Sequence, residues 1–482
     1  MARNLSARIL SAEEVEFLKE KIQVLLETKG IHIEHPEVME ILKKAGAIVS
    51  EETGSVKFPK ALYEEALKAA PREFTLAGID PKNDMKFPHP EGSFYVRTNT
   101  GGMYYLTEEG EYRNIVLDDV AEFTRLANAL PNVNYWSLPS TDPVDFPAET
   151  IDIHTLNTVL RNTTKHGWVQ PYEAENIKYL IEMAAAVVGG KEELRKRPII
   201  SAICCSVPRL TYKYMDMNII YECCKAGVPL QPCALPAAGA NVPITPSGLA
   251  LMAAADVVAM IVMAQIIAPG HPCVATPLLF EMDMLTTNTT QATMSTTMGR
   301  MIAMQLFKEG YGIPVHTYAT GTDSSTLDAQ AGFEAASLSH MVALSGGSVL
   351  GGAGQVETAK TISPLQLIID NDVFGMVKQL KAGLEVNEET IAWDDIQAMT
   401  YQDSFVDKMH TFNHFRDGYR AKTFTRDSRT TWAEKGCKDL AARAKEQYQI
   451  IKENYEPVTL TKEVADALDA IVARADRELG RK

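Results

Sequence analysis

The segment LQPCALPAAGANVPITPSGLALMAAADVVAMIVMAQIIAPGHPCVATP, residues 230–277, contains one complete strand–helix–strand unit. Short apolar runs at residues 230–234 and 274–277 predict two strands, and the long apolar run at 246–267 predicts a buried helix between them. The turn PGHP at 269–272 ends that helix, because glycine followed by proline is a strong stop signal. A unit of this kind indicates parallel strands joined by a helical crossover.

The same alternation repeats along the chain, and eight strand–helix units can be counted. The predicted strands are residues 93–98, 133–138, 166–169, 199–204, 230–234, 274–277, 315–318 and 348–351. The predicted helices are residues 117–130, 148–162, 174–188, 212–226, 246–267, 289–309, 328–344 and 364–381. Eight units are the number that a closed (β/α)8 TIM barrel needs, and in that α/β fold the strand-to-helix loops form the catalytic face. We expect this face to be built by the long loops 235–245, 278–288, 319–327 and 355–363.

The barrel accounts for residues 91–386, and it is flanked on both sides. Residues 1–90 predict a mainly helical N-terminal extension, and residues 387–482 predict a charged, helical C-terminal tail packed on the barrel. The rival fold is an open doubly wound sheet, because a strand count does not establish closure. That fold would carry a phosphate-binding loop after its first strand, and NTGGM at 99–103 has no such pattern. We therefore predict the barrel.

Composition excludes several classes of partner. The net charge of -15 and the pI of about 5.3 repel phosphate backbones, so we expect no nucleic acid partner. The most apolar run, residues 249–268, is long enough to span a bilayer, but Asp256 lies near its centre and no basic flank follows it. We interpret this run as a buried barrel helix and expect no membrane partner. The N-terminus lacks the apolar core of a secretory signal, and we expect a cytoplasmic protein.

Seven cysteines without an export signal argue against a disulfide framework. Cys204, Cys205 and Cys233 fall near the C-terminal ends of neighbouring predicted strands, where thiolates could bind zinc. No C-x-x-C pair and no histidine at ligand spacing accompany them, and Cys273 begins its strand at the opposite face. We expect no metal site and keep a zinc site at these cysteines as the alternative.

Aromatic and polar residues near predicted strand ends form a candidate substrate site. The aromatic members are Tyr95, Trp136, Trp168 and Tyr318. Ring faces attract a cation that cannot donate hydrogen bonds, although each ring taken singly is as readily a core residue. Arg97, His166 and Gln170 fall near the same predicted mouth and are candidates to hold a substrate carboxylate.

Two glycine-rich segments predict a cofactor site at the same face. The loop ATGTDSSTLD at 319–328 is dense in N–H and hydroxyl donors, and the eighth strand, GGSVLGGAGQ at 346–355, is weakened by its glycines unless something approaches its backbone. The candidate cofactor-binding residues are Gly321, Thr322, Asp323, Ser324, Gly351, Gly352 and Gln355. No hydrolase, zinc-protease or kinase motif is present, so we expect alignment of reactants rather than catalytic acid–base residues.

Three further segments resemble the trimethylamine methyltransferase family. They are KGIHIEHPEVMEILKKAGAIVSEETGSVKFPKALYEEALKAAPREFTLAGID at 29–80, TDSSTLDAQAGFE at 322–334 and HTFNHFRDGYRAKTFTRDSRTTWAEKG at 410–436. Their order and spacing make the likeness cover nearly the whole chain. The archaeal trimethylamine enzymes of this family carry pyrrolysine in the barrel, whereas this sequence contains only standard residues and is similar to the non-pyrrolysine members.

The resemblance implies transfer of a methyl group from a quaternary amine to cobalt(I) of a corrinoid carried by a cognate partner protein. The leading substrate is glycine betaine, which would leave as dimethylglycine. Proline betaine, carnitine or another trimethylammonium acid is the alternative, as are a non-catalytic betaine or corrinoid binding module and a zinc-dependent methyltransferase. Homo-oligomerisation stays open.

Overall fold

The computed structural model describes residues 4–137 and 143–480. Eight parallel strands form one sheet in which neighbours along the chain also lie side by side. The strands are β1 (Tyr95–Thr98), β2 (Tyr135–Ser137), β3 (His166–Val169), β4 (Ile200–Ser206), β5 (Leu230–Ala234), β6 (Thr276–Pro277), β7 (His316–Tyr318) and β8 (Val349–Ala353). A parallel bridge between Ala275 and Val315 joins the β6 and β7 segments, so the sheet closes. The predicted α/β TIM barrel is confirmed.

Eight helices follow these strands and cover the outside of the barrel. They are α1 (Leu117–Ala129), α2 (Ile151–Leu160), α3 (Asn176–Val188), α4 (Tyr214–Ala226), α5 (Pro246–Ile267), α6 (Met294–Gln305), α7 (Ala329–Leu344) and α8 (Pro364–Ala382). A π-helical turn, Leu306–Tyr311, extends α6. The ranges of β3, β5 and α5 are those that the sequence predicts. Leu138, the predicted end of the second strand, lies outside the described residues.

Helix α5 is apolar on every side, and it is packed on every side. It begins with Pro246 and is capped by the Thr245 hydroxyl, which accepts a hydrogen bond from the Gly248 N–H. Its inner side packs on β5, and its outer side is covered by helices Ala12–Thr28, Pro36–Lys44 and Lys60–Ala69. This helix is long and apolar enough to cross a membrane, but 78% of its most apolar window is buried inside the protein.

The N-terminal extension contains a small sheet besides its three helices. Strands Ile31–Ile33, Ile48–Ser50 and Ser55–Lys57 pair with one another, and Ile31–Ile33 also pairs in parallel with Thr211–Tyr212 from the loop after β4. The sequence does not predict this sheet, because each of its strands has only three residues. The pairing with Thr211–Tyr212 anchors the extension to the barrel.

A hairpin closes the N-terminal end of the barrel. Its strands, Phe74–Leu76 and Met85–Phe87, place Leu76, Met85 and Phe87 in the same hydrophobic cluster as the side chains that fill the barrel interior. In the described parts of the chain, the opening of the barrel therefore lies at the other end, where the C-terminal ends of the strands lie.

The C-terminal segment packs around the outside of the barrel. Helix Leu440–Glu453 lies against α8 and α1, and helix Lys462–Leu479 lies against α3 and α2. Three shorter helices precede them, Trp393–Ala398, Met409–His414 and Arg429–Glu434. Helix Lys191–Lys196 lies between α3 and β4.

Two small sheets are built from loops at the open end of the barrel. One consists of Ala237–Ala238, Phe280–Met282 and Thr289–Thr290, from the loops after β5 and β6. The other consists of Tyr104–Leu106, Tyr112–Asn114, Gln355–Val356 and Thr361–Ile362, from the loops after β1 and β8. These sheets fix the rim around the mouth.

Replacement of Asp256 in α5 tests whether this buried carboxyl is protonated in the folded protein. One carboxylate oxygen accepts a hydrogen bond from the Leu210 N–H at 2.8 Å, and burial raises the pKa of Asp256 to about 7. An unfolded aspartate ionises near pH 3.9, so the contribution of this carboxyl to stability is fully present below that pH and is lost as the pH rises toward 7. Asp256→Asn should therefore be more stable than the parent by about 4 kcal/mol at pH 8, which corresponds to about three pKa units, and equal to it near pH 4. Urea unfolding of both proteins at several pH values measures the difference, and a constant difference would contradict the assignment.

Candidate active site at the barrel mouth

Arg97 carries a buried positive charge inside the barrel. It lies on β1, its side chain is fully buried, and its guanidinium carbon lies 3.5 Å from the centroid of the Trp168 ring. Its Nε donates a hydrogen bond to His316 at 3.2 Å, but Nη1 and Nη2 have no partner among the described residues. Burial lowers the pKa of Arg97 to about 10, so the guanidinium stays charged at neutral pH.

His316 supports this guanidinium as a neutral imidazole. Its Nε2 accepts the hydrogen bond from Arg97, so the ring proton resides on Nδ1. Burial, followed by the charge of Arg97, holds the pKa of His316 well below 6.5. Gly351 leaves the room for this pair, because a Cβ atom there would lie 2.3 Å from His316 Nε2.

Several other buried polar atoms around Arg97 also lack a partner among the residues that the structure describes. They are Trp168 Nε1, His316 Nδ1, Tyr135 Oη and Gln231 Oε1, and nearer the mouth Gln291 Oε1 and Gln355 Nε2. Polar atoms buried without partners cost free energy, and proteins keep such atoms where a ligand or water completes their hydrogen bonds. When the Arg97 nitrogens are included, most of these atoms are donors, and the only formal charge among them is the positive charge of Arg97. The arrangement is therefore suited to a ligand with an anionic group.

Two aromatic rings form a wall beside this set. The rings of Tyr318 and Phe280 meet edge to face with centroids 6.3 Å apart, and the Tyr318 ring lies 5.8 Å from the guanidinium carbon of Arg97. Phe280 is only half-buried, so it reaches the open mouth. The sequence analysis missed Phe280 because it lies beyond the end of the predicted strand, in a loop that only tertiary structure folds over the mouth.

Three of the predicted substrate residues lie elsewhere, and these expectations are corrected. The Tyr95 hydroxyl bonds to the backbone of Lys86 in the hairpin at the closed end. Trp136 faces the outer helix layer and packs over Gly167, where a Cβ atom would lie 2.1 Å from the indole. Its neighbour Tyr135 faces the interior instead, because successive side chains of a strand point to opposite faces.

His166 is the third residue that lies away from the mouth. Its Nδ1 donates to the Ala77 carbonyl in the segment that closes the barrel, at 2.8 Å, and its Nε2 accepts from the Ser201 hydroxyl. Gln231 in turn donates to Ser201 at 2.8 Å. Burial lowers the pKa of His166 to about 4, so it is neutral at pH 7 and offers no charge to a carboxylate.

Trp168, Gln170 and Tyr318 remain near the mouth, with one change of role. Arg97 covers a face of the Trp168 ring, so that face is closed to a substrate cation. Tyr318 lies in the wall next to Phe280, and Gln170 directly follows β3 and is half-buried. Of the seven predicted substrate residues, Arg97, Trp168, Gln170 and Tyr318 therefore share this end of the barrel.

The polar groups predicted to bind the cofactor are used to hold loops together. The Asp323 carboxylate accepts hydrogen bonds from the backbone N–H of Gln291 and Ala292 and from the Thr358 hydroxyl, which ties the loops after β6, β7 and β8 to one another. Thr322 donates its hydroxyl to Glu334 at 2.6 Å. The Ser324 hydroxyl donates to the Thr326 backbone carbonyl and to the Asp328 carboxylate. These three side chains do not present free donors to a cofactor, which corrects the expectation.

The predicted glycines make room for side chains of the protein itself. A Cβ atom at Gly321 would lie 2.5 Å from Gln291, and one at Gly352 would lie 2.1 Å from Gln355. Together with Gly351 beside His316, they allow buried side chains to fill the mouth. The approach of a flat cofactor to these glycines stays a prediction. Gln355 itself stays in the site through its unpaired Nε2.

The three cysteines considered for zinc do not converge. Cys205 and Cys233 are partners on adjacent strands and face the interior, whereas Cys204 faces the outer helix layer. Hydrogen bonding to Cys233 and burial raise the pKa of Cys205 well above its ordinary value, which disfavours a thiolate. Within the described parts of the chain these cysteines form no group of three metal ligands.

Comparison with known proteins gives a consistent result along the whole chain. The family model described as "MTTB: Trimethylamine methyltransferase (MTTB)" matches residues 2–480. Trimethylamine methyltransferase MttB of Desulfitobacterium hafniense (strain DSM 10664 / DCB-2) is 31% identical over 471 residues, which cover 98% of this chain and 94% of that protein. The glycine betaine methyltransferase of Desulfitobacterium hafniense (strain Y51) is 27% identical, with 98% of each chain covered. Among solved structures, the Methanosarcina barkeri monomethylamine methyltransferase has a TM-score of 0.49 at 14% identity, covering 97% of this chain and 93% of that chain.

Replacement of Asp323 tests its role in the loops of the mouth. Asp323→Ala removes the acceptor of three hydrogen bonds from two other loops, and we expect it to lower the free energy of unfolding by about 2–4 kcal/mol. Asp328→Ala is the matched control, because Asp328 caps α7 and otherwise accepts only from the Ser324 hydroxyl of its own loop, so its loss should cost about 1 kcal/mol. Equal effects of the two changes in urea unfolding would contradict this role of Asp323.

Proposed function

The chain belongs to the trimethylamine methyltransferase family, and from this premise we propose that it transfers a methyl group from a carboxylate-bearing quaternary amine to cobalt of a corrinoid on a partner protein. Glycine betaine is the proposed substrate, with proline betaine, carnitine or another trimethylammonium acid as alternatives at the same site. The finding of a glycine betaine methyltransferase among the relatives is consistent with this choice.

The unpaired guanidinium of Arg97 is the observation that carries the proposal. A buried charge without a partner is costly, and among the described residues no carboxylate bonds to Nη1 or Nη2. A substrate carboxylate would supply both the opposite charge and the acceptors, in the two-pronged geometry that guanidinium favours. The missing carboxylate partner of Arg97 therefore supports a substrate that carries a carboxylate.

The same charge disfavours amines without an acidic group. Trimethylamine is largely a cation at neutral pH, and two like charges a few ångströms apart in a buried site repel strongly. A betaine avoids this repulsion because its carboxylate lies between its ammonium group and Arg97. The charge of Arg97 therefore favours a zwitterion over trimethylamine itself.

The ammonium group is placed by the aromatic wall. With the carboxylate on Arg97, the trimethylammonium end of glycine betaine lies one methylene further along, toward Tyr318 and Phe280. Ring faces stabilise such a cation without requiring hydrogen bonds from it. One methyl group then points out of the mouth, where an acceptor can approach it in line.

The proposed chemistry needs little from the side chains beyond positioning. Cobalt(I) of a corrinoid supplies a strong nucleophile for the methyl carbon. The amine leaves as a neutral tertiary amine and keeps its electron pair, so no proton donor is needed. His166 and His316 are both neutral at pH 7, which fits a site that moves no proton. The residues of the mouth hold the carboxylate, orient the N–CH3 bond and exclude water.

The corrinoid protein requires a surface beside this mouth. Side chains of the protein itself occupy the space beside the glycines after β7 and in β8. The loops after β5 and β6 instead expose Leu235, Ile244, Met284 and Leu285 at the same end of the barrel. We place the docking surface for the corrinoid partner on this apolar rim, because apolar patches of this kind are typical of protein interfaces.

Replacement of Arg97 tests the substrate class. Arg97→Met should weaken the binding of glycine betaine by about 100-fold, because a charge-assisted pair worth about 3 kcal/mol is lost. Binding of tetramethylammonium, which has no carboxylate, should be unchanged or tighter. Isothermal titration calorimetry with both ligands measures the two effects.

Two controls accompany this measurement. Arg161→Met changes the same residue type outside the barrel, where Arg161 pairs with Asp469, and should leave both affinities unchanged. The thermal midpoint of Arg97→Met without ligand should not fall, because the change removes an uncompensated buried charge. Unaltered affinity of Arg97→Met for glycine betaine would rule out the proposed site.

Substrate preference gives an independent test. With the cognate corrinoid protein, kcat/KM for glycine betaine should exceed that for trimethylamine by about 100-fold, the factor expected from one buried charge pair. The ratio should shrink in Arg97→Met, because the discriminating charge is gone. A higher kcat/KM for trimethylamine in the parent protein would contradict the proposal, and binding of glycine betaine without methylation of the corrinoid would indicate a binding module instead.

A further inference from the structure

The segment 384–417, which we call the arm, folds without a hydrophobic core. It follows α8 and contains helices Trp393–Ala398 and Met409–His414. No residue of the arm is buried, although it is rich in large apolar side chains. The exposed ones are Leu384, Val386, Ile391, Trp393, Met399, Tyr401, Phe405, Val406, Met409, Phe412 and Phe415. Burial within this chain therefore does not fix the shape of the arm.

Three potential metal ligands meet where the two ends of the arm come together. Glu389 stands just before the first arm helix, and His410 and His414 are one turn apart on the second. One ligand atom from each of the three lies within 4.8 Å of the others. His414 Nε2 is only 2.7 Å from Glu389 Oε1, and the two imidazole rings have centroids 4.4 Å apart. This is the one group of three metal-ligand side chains found in the described parts of the chain.

His410 contributes a nitrogen that nothing else uses. Its Nε2 is buried and has no hydrogen-bond partner among the described residues, although the side chain as a whole is only half-buried. A buried ring nitrogen without a partner loses its hydration without compensation. A metal ion bound to this nitrogen would remove that cost.

Asp417 orients His414 in the way that histidine ligands are usually oriented. The Asp417 carboxylate accepts a hydrogen bond from His414 Nδ1–H at 2.7 Å, which directs Nε2 toward Glu389. Histidines that bind metals commonly donate their other N–H to a carboxylate, which fixes the tautomer and raises the basicity of the ligand. Without a metal, hydrogen bonds to Asp417 and Glu389 raise the pKa of His414.

We propose that Glu389, His410 and His414 bind one zinc ion that fastens the arm. Two imidazoles and one carboxylate form a common zinc ligand set, with water completing the tetrahedron. Binding displaces the proton that His414 Nε2 shares with Glu389 and releases it to solvent. The ion joins residue 389 to residues 410 and 414 and so closes a loop that lacks a core. The site lies away from the barrel cysteines and takes no part in the proposed methyl transfer.

Zinc titration of the metal-free protein tests this site. Untagged full-length protein is treated with chelator and titrated with zinc against a chromogenic zinc indicator. We expect one tight site per chain, weakened at least 10-fold in His410→Ala and His414→Ala. Asp417→Asn should weaken it about 10- to 100-fold, the usual effect of losing a carboxylate that orients a ligand.

His32→Ala is the matched control. His32 is an exposed histidine 3.8 Å from Glu34, so it samples adventitious binding by a surface histidine and carboxylate. This variant should bind zinc as the parent does. Equal zinc affinity in the parent and in both arm histidine variants would overturn the proposal, as would the absence of a stoichiometric site in the parent.

Limited proteolysis provides a readout that depends on the arm alone. Zinc should slow cleavage within residues 384–417 in the parent and in His32→Ala, and it should have no effect in His410→Ala. Circular dichroism of each variant verifies that the barrel stays folded. Cleavage of the parent at the same rate with and without zinc would show that the ion does not fasten the arm and would overturn that role.

Discussion

The buried guanidinium of Arg97 is the constraint around which the mouth of the barrel is organised. It is held on one side by the Trp168 ring and at Nε by His316, and no group in residues 4–137 or 143–480 bonds to its Nη1 or Nη2. A barrel interior is normally filled with apolar side chains, so an unpaired cation there costs stability unless a ligand compensates it. The protein accepts this cost in a closed barrel whose other end is plugged, where water is excluded and the charge acts strongly on a ligand.

The glycine-rich segments that predict a cofactor site in the sequence make room for the side chains around Arg97. Gly351 gives His316 the space to meet Arg97, and Gly352 gives space to Gln355. Asp323 and Arg300 hold the surrounding loops, Asp323 through backbone N–H groups and Arg300 through the carbonyls of Gln291 and Leu279. The rim is therefore rigid because its polar groups bond to one another. What remains free for ligands is a small set of buried atoms and an aromatic wall.

The elements outside the barrel are explained by the apolar surfaces that they cover. Helix α5 has no polar face, so a barrel alone would leave half of it in water, and the N-terminal extension packs on that half. Asp256, the exception in this helix, binds the turn at Leu210 that leads into the strand pairing with the extension. The arm is the opposite case, since it leaves its apolar side chains exposed and brings Glu389, His410 and His414 together from its two ends.

The sequence by itself determined the eight units, the bounds of several strands and helices, and the presence of Arg97, Trp168, Gln170 and Tyr318 near one end of the barrel. These follow from local patterns of apolar residues, caps and turns, which depend on neighbours along the chain. Tertiary structure alone decided which ring of the Tyr135–Trp136 pair faces inward, because a shift of one residue reverses the face of a strand. It also decided that Tyr95 and His166 lie at the closed end, since the height of a residue in a barrel depends on the stagger between strands. The sequence did not predict Phe280 or the group of Glu389, His410 and His414. Loops bring these side chains into place, and their spacing along the chain carries no signal.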